Sequence, residues 1–422
     1  MSIATPPVVV RIMPQIPLRD GEDARSWLGG RPSLPHDVEW PVGRRPARFL
    51  CQICCADLPA GLWEGLGPRD GWLLFFINPT EVAYIDPSET EMWVLHTLEL
   101  GTRRTAPEWC DDQDDWANCW YHALLFRKQA HGPKRAHPYW PADLVAVCEG
   151  DPYARKPGFS KRSWELLKSG YDVADPAYRP FDWQTLLEML DFAELNLSKF
   201  AASDAEPDLR RKLADIDDKM ATAAATGSSP DLSALQAEAA SLVSRIEFLQ
   251  RREPVVPRAL TAVREIAGRA RAESASGLAP NATIDRVMRE LAAVEHMTPS
   301  GPVPLTLQNS ETLMWNYYNE MLRFDRAKHL YVEAPEALPP AVRNHFEALW
   351  RDVAAHEMAS MGDQPTNYVD GFDPAVDVIL LELPSSQLLG WVFGDVDDLV
   401  VTIKKADLAA GRFDKIIVNM SN

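Results

Sequence analysis

Cysteine is scarce and unevenly placed in this 422-residue chain: there are six, at positions 51, 54, 55, 110, 119 and 148, and none beyond. So few thiols, all in the first 150 residues, exclude a disulfide framework. Long apolar runs are missing too. The longest, Trp72–Ile77 and Val378–Leu383, fall far short of the roughly 20 residues that cross a bilayer. The start, Met1 to Arg11, has no charged segment followed by an apolar one, and Pro6-Pro7 interrupts any helix there. The expectation is a cytoplasmic protein with reduced thiols and no membrane contact. Positive charge is also in deficit, with 43 Lys and Arg against 61 Asp and Glu, a net of −18. That balance argues against a protein built to grip phosphate backbones, so no nucleic-acid partner is expected.

Familiar chemical motifs are lacking as well. There is no Gly-x-Ser-x-Gly elbow and no Walker loop. His356-Glu357-Met-Ala-Ser has no second His to complete HExxH. Gly65-Leu-Gly67-Pro-Arg-Asp-Gly71 outwardly suggests a nucleotide loop, but its spacing is wrong and it leads into strand texture, where a phosphate-binding loop opens a helix. It reads as a connecting turn. Cys51-Gln-Ile-Cys54 has CxxC spacing but sits in an apolar, strand-like run, so its two thiols face opposite ways and no second pair follows. Buried structural cysteines are expected, with no catalytic residue, metal or cofactor assigned.

What the chain does have is 46% apolar residues, 34 Pro and 14 Trp, eleven of the Trp before residue 184. Short apolar runs punctuated by Pro and Gly mark strands at Phe49–Ile53, Trp72–Ile77, Glu81–Ile85, Met92–Leu98 and Asp143–Val147. Strands return at Asp377–Leu383, Leu399–Ile403 and Lys415–Met420. Between them the texture is helical. Leu209, Leu213, Ile216, Met220 and Ala223 step by three and four, as do Leu232, Leu235, Ala239, Leu242, Ile246 and Leu249. With Gly227, Ser229 and Pro230 between them as stop, cap and first-turn residue, these predict an antiparallel helical hairpin over 207–251. Its seam is expected to close on itself and on helices at Ala259–Ala272 and Ile284–Val294, the alternative being a self-associating or partner-docking arm. Further helices are expected near Glu311–Phe324 and Pro340–His356. The fold class predicted is α+β: a largely antiparallel sheet from residues 1–159 and 331–422, with a helical insertion over 160–330.

Two stretches carry a resemblance. Trp27-Leu-Gly29-Gly30-Arg-Pro-Ser-Leu-Pro35 leads through Trp40-Pro41 to Phe49-Leu-Cys-Gln52-Ile, Ala56-Asp-Leu58-Pro59 and Gly71-Trp-Leu-Leu-Phe75-Phe76; later come Val378-Ile-Leu-Leu-Glu-Leu, Phe393-Gly394-Asp395 and Ala406-Asp407-Leu408 through Arg412-Phe413-Asp414-Lys. In this order the segments resemble the YwqG-like family of bacterial domains of unknown function. About a third of the chain is covered, and the helical middle has no counterpart. The chain differs from the family pattern at Glu382-Leu-Pro384-Ser-Ser and at Phe393, where the family has Trp. The resemblance implies an immunity or antitoxin-like role, since family members occur beside toxin genes. Without the family, Gly29-Gly30 with Pro32 and Pro35 reads as a rigid lead-in delivering Trp40 to a core, and Gly394-Asp395 as a turn.

The net charge is concentrated. Residues 81–119 hold ten acids and two bases, and residues 363–398 hold eight acids and no base, leaving −2 for the rest. Within them, Asp111, Asp112, Asp114 and Asp115, and Asp395, Asp397 and Asp398, are the candidate partner-binding residues; neither cluster has the spacing of a calcium loop. The function expected is a non-catalytic interaction module whose acidic surface binds a basic protein, such as a toxin. The alternative is an enzyme or small-ligand protein with an acidic and aromatic cleft between the two sheet-like ends.

Overall fold

A computed structural model of the chain describes residues 8–19, 24–44, 46–78, 90–107, 137–148, 171–201, 205–226, 232–277, 279–308, 326–365, 368–391, 393–394 and 397–421. The chain forms two compact units. One takes Met1–Ser163, Asp325–Leu338 and Arg343–Asn422; the other takes Trp164–Phe324 and Pro339–Val342. In chain order the strands are β1 (Val9–Pro14), β2 (Trp27–Leu28), β3 (Arg48–Cys54), β4 (Trp72–Asn78), β5 (Glu91–Thr97), β6 (Trp140–Val147), β7 (Tyr171–Asp172), β8 (Glu295–Thr298), β9 (Gly301–Pro304), β10 (Leu307–Gln308), β11 (Ala359–Met361), β12 (Asp377–Pro384), β13 (Asp398–Lys404) and β14 (Ile417–Ser421). The helices are α1 (Trp183–Ala201), α2 (Ala205–Thr226), α3 (Leu232–Arg252), α4 (Val256–Ser276), α5 (Pro280–Ala292), α6 (Pro340–His356) and α7 (Lys405–Ala409).

The fold is α+β. The first unit is organised by a ten-stranded sheet in the order β14-β13-β12-β11-β1-β6-β2-β3-β4-β5. Every pairing in it is antiparallel. Its strands come from both ends of the chain, and β1 is the join, pairing with β6 on one side and β11 on the other. The sequence reading places no strand before residue 26. The reason is Arg11, which interrupts the apolar run, yet Val10, Arg11 and Ile12 are all fully buried because a central strand has both faces covered.

The two halves also meet away from β1. The Trp63 indole donates to the Ile379 carbonyl at 2.9 Å, Lys405 Nζ donates to Glu64 at 2.6 Å, and the His96 ring of β5 packs 6.0 Å from Phe413. A twisted antiparallel sheet curls naturally in this way. An aromatic cluster lies against the sheet at β6: Trp140, Tyr331 and Trp350 lie within 4.9–5.8 Å of one another, with Phe346 stacked on Trp350 at 5.4 Å. Such rings bury a large apolar area, which pins α6 and the helical residues 326–333 in place.

The expected strands at 49–53, 72–77, 92–98, 143–147, 377–383, 399–403 and 415–420 correspond to β3, β4, β5, β6, β12, β13 and β14. The last begins two residues late because Phe413–Lys415 forms a 3-10 turn. The expected strand at Glu81–Ile85 and helix near Glu311–Phe324 lie outside the described residues.

In the second unit, α2 and α3 form the expected antiparallel pair. Leu209, Ile216, Leu242 and Ile246 are buried between them, flanked by Leu213, Met220, Leu235, Ala239 and Leu249. The seam closes within the hairpin; the Gly227–Pro230 connection lies outside the described residues. Helices α1, α4 and α5 pack beside one another, and α4 stops at Gly277, whose φ of 74° is left-handed. The hairpin β8–β9 and the short pair β7–β10 complete this unit.

Candidate functional site

Three polar arrangements stand out in the sheet unit. The first is a buried rung. Arg11 of β1 lies opposite Ser360 of β11, which lies opposite Glu382 of β12. All three are fully buried. The Arg11 guanidinium donates to the Asp363 carboxylate, and the Ser360 hydroxyl reaches Glu382 Oε2 at 3.5 Å. Charges held this deep persist only when paired, so the rung ties the join strand to the C-terminal half of the sheet.

The second arrangement holds the turn after β12. The Ser386 hydroxyl donates to Glu357 Oε2 at 2.7 Å, and the Leu388 amide approaches the same oxygen at 3.4 Å. Burial pushes the Glu357 carboxyl up to about 7, against the pull of these hydrogen bonds and of the Lys328 charge. Lys328 is itself fully buried and donates to the Gln387 carbonyl at 3.2 Å. Its Nζ lies 3.2 Å from where a Cβ on Gly390 would stand, and Gly390 has a φ of +73°. His137 Nδ1 lies 3.1 Å from the Leu389 carbonyl, and its ring meets Trp391 edge-on at 5.3 Å. The Trp391 indole donates to the Pro384 carbonyl at 2.9 Å. This network fixes one turn from the helix side and the strand side at once.

The third lies in the Gly-Gly-x-Pro lead-in. Gly29 and Gly30 have φ of +63° and +68°, and a Cβ on Gly29 would stand 2.1 Å from the Pro138 carbonyl oxygen. Only glycine lets the chain pass this close to the start of β6. The passage brings the Tyr139 ring to 5.7 Å from Trp27, and the Arg103 guanidinium lies 4.3 Å from Tyr139 and 5.3 Å from Trp27. The lead-in delivers Trp40 to the core as expected, where its indole donates to the Ala47 carbonyl at 2.8 Å. Beneath the lead-in, Trp27 pairs with Gln52 across β2 and β3. The Ser33 amide donates to Gln52 Oε1 at 3.1 Å, while Gln52 Nε2 and Trp27 Nε1 are buried donors with no acceptor among the described residues.

Of the aspartates singled out by sequence, Asp111, Asp112, Asp114, Asp115 and Asp395 lie outside the described residues. Asp397 and Asp398 are half-buried neighbours. The Asp397 amide donates to the Phe393 carbonyl at 2.7 Å, and a Cβ on Gly394, whose φ is +50°, would fall 2.1 Å from Asp397 Oδ2. Asp398 opens β13 opposite Pro384 and Ser421. The rest of the acidic stretch divides in two about Asp377, which accepts the Asp373 amide at 3.0 Å. Asp363 and Glu382 turn inward to the rung, whereas Asp370 and Asp373 are exposed on the loop over residues 368–377. Tyr368 and Val376 flank that loop at 79% and 51% exposure.

Cys51, Cys54 and Cys55 are free and buried, and burial pushes the Cys51 thiol up strongly and the Cys55 thiol to about 12. The CxxC run is strand β3, as its apolar context implies. The run Gly65–Gly71 is a turn, with φ of +83°, +76° and +71° at its three glycines. Among the described residues no group of three or more His, Cys, Asp or Glu is gathered as a metal site requires. Lys328 and Arg103 carried no sequence signal of a site; Glu357 stood in the incomplete His356-Glu357 run, and Trp27 and Gln52 stood inside the stretches that carry the resemblance.

A family model for a domain of unknown function, DUF1963, matches residues 26–121. The match takes in the lead-in, Trp27, Gln52 and Arg103, and ends before β6 and the C-terminal strands. No curated protein matches the chain. Among the described residues no helix is long and apolar enough to cross a membrane.

Proposed function

We propose that the chain is a non-catalytic cytoplasmic interaction module that holds a basic protein partner, such as a toxin, against an acidic surface. The immunity or antitoxin-like role implied by the YwqG-like resemblance is binding of this kind. One observation carries the reading: the loop over residues 368–377 displays Asp370 and Asp373 beside a highly exposed Tyr368 and an exposed Val376, within a stretch of 36 residues that has no Lys or Arg. Tyrosine is a frequent anchor of protein interfaces, because its ring buries apolar area while its hydroxyl keeps a partner. Here that hydroxyl donates to Asp370 Oδ1 at 3.2 Å, which holds the ring beside the carboxylate. Surrounding carboxylates would speed encounter with a basic surface more than they tighten the final complex.

The test is capture from a lysate of the source organism at low and high salt, with wild type and with a Tyr368→Ala, Asp370→Asn, Asp373→Asn variant as baits. A basic protein retained by wild type, lost at high salt and lost with the variant is the expected result. Equal retention by the variant, or capture insensitive to salt, rejects this surface.

A further inference from the structure

We propose that Trp27, Gln52 and Arg103 form a binding site for a small carboxylate. This is separate from the acidic loop and does not depend on it.

The Ser33 amide donates to Gln52 Oε1, which fixes the orientation of the side-chain amide, so Nε2 must be a donor. That Nε2 is buried and has no acceptor among the described residues. Trp27 is paired directly opposite Gln52, so the two side chains leave the same face of the sheet with Cβ atoms about 5 Å apart. The Trp27 indole N–H, also a donor only, is buried without an acceptor among the described residues as well. An orphaned buried donor gives up its bond to water and gains none in return. Two on facing residues mark the place of an oxygen acceptor that no backbone or side chain among the described residues supplies.

Arg103 decides the charge of that acceptor. Its guanidinium is stacked on Tyr139 and Trp27 at 4.3 and 5.3 Å and has no carboxylate partner among the described residues. The segment that carries it is pinned to the lead-in by two backbone bonds, Gly101 N–H to the Ser33 carbonyl at 3.2 Å and Arg104 N–H to the Pro32 carbonyl at 2.9 Å. A cation is thus held 5.3 Å from the ring that carries one of the two neutral donors. A carboxylate satisfies all three, its two oxygens taking the donors and its charge facing the guanidinium. Leu34, Leu74 and Phe76, in the same core cluster as Trp27, offer a ligand's tail no polar group, so the chemistry that suits it is apolar.

The test follows the indole N–H signals of 15N-labelled full-length protein, with Trp27 assigned through Trp27→Phe. Acetate, propionate and benzoate are titrated at constant ionic strength, with acetamide and benzamide as neutral counterparts. The expected result is a saturable shift of the Trp27 signal by at least one carboxylate, weakened roughly tenfold by Arg103→Gln and lost in Gln52→Leu. Arg103 is exposed, so its variant keeps the test decisive if Gln52→Leu does not fold. No saturable shift with any carboxylate leaves ordered water on the two donors and overturns the proposal. So does equal affinity for benzamide and benzoate, or undiminished binding by Arg103→Gln.

Discussion

Glu357 Oε2 accepts the Ser386 hydroxyl at 2.7 Å, joining the residue just past α6 to the second residue past β12. One carboxyl therefore sets where a helix ends relative to the turn that follows a central strand. Because that carboxyl is buried, its protonation is linked to stability.

The sign follows from the raised value. Glu357 titrates near 7 in the folded chain, above its ordinary 4.5, so the folded state holds the extra proton between those pH values. Stability from this group is fully present below about 4.5 and is lost as pH rises through about 7, a total of roughly 3 kcal/mol at 1.36 kcal/mol per unit. Glu357→Gln keeps an acceptor for Ser386 without the charge. Urea unfolding at pH 5 and pH 8 should show wild type losing stability across the interval and the variant losing about 2–3 kcal/mol less. An identical pH dependence in both proteins contradicts the assignment.

Gly29 and Gly411 share left-handed backbones, with φ of +63° and +67°, but differ in their surroundings. A Cβ at Gly29 meets the Pro138 carbonyl at 2.1 Å, whereas nothing lies within 4 Å at Gly411. Gly411→Ala should cost about 1–2 kcal/mol, the backbone cost alone. Gly29→Ala should cost clearly more, since backbone must move as well. Thermal unfolding of the two variants checks the order; equal losses would mean that the lead-in yields freely.

In the helical hairpin, Ile216 and Leu242 are buried in the seam, while Val243, one residue along α3, is 41% exposed. Ile216→Ala or Leu242→Ala should destabilise the helical unit by about 2–5 kcal/mol, and Val243→Ala by under about 1 kcal/mol. Helical circular dichroism through a urea titration reads this directly. A large effect at Val243 would point to a contact across that exposed face.

Much of the secondary structure was legible because its signals are local. Leu209, Ile216, Leu242 and Ile246 announce their seam by steps of three and four, and Phe49–Ile53 and Val378–Leu383 announce strands by short apolar runs between turn residues. Arg11 hid β1, because a charge inside an apolar run reads as exposure until its partner is known. That partner, Asp363, lies 352 residues away.

The sequence by itself determined the class of the fold, the antiparallel hairpin, the lead-in role of Gly29-Gly30 and the turn at Gly394, since each rests on residues within a few positions of one another. Tertiary structure alone decided that β1 joins the two halves, that Asp363 and Glu382 face inward while Asp370 and Asp373 face out, and that Trp27 and Gln52 stand opposite each other with unmet donors. Hydrogen bonding and burial depend on distance in space, and pairing a sheet from both ends of a chain brings together side chains that no local pattern relates.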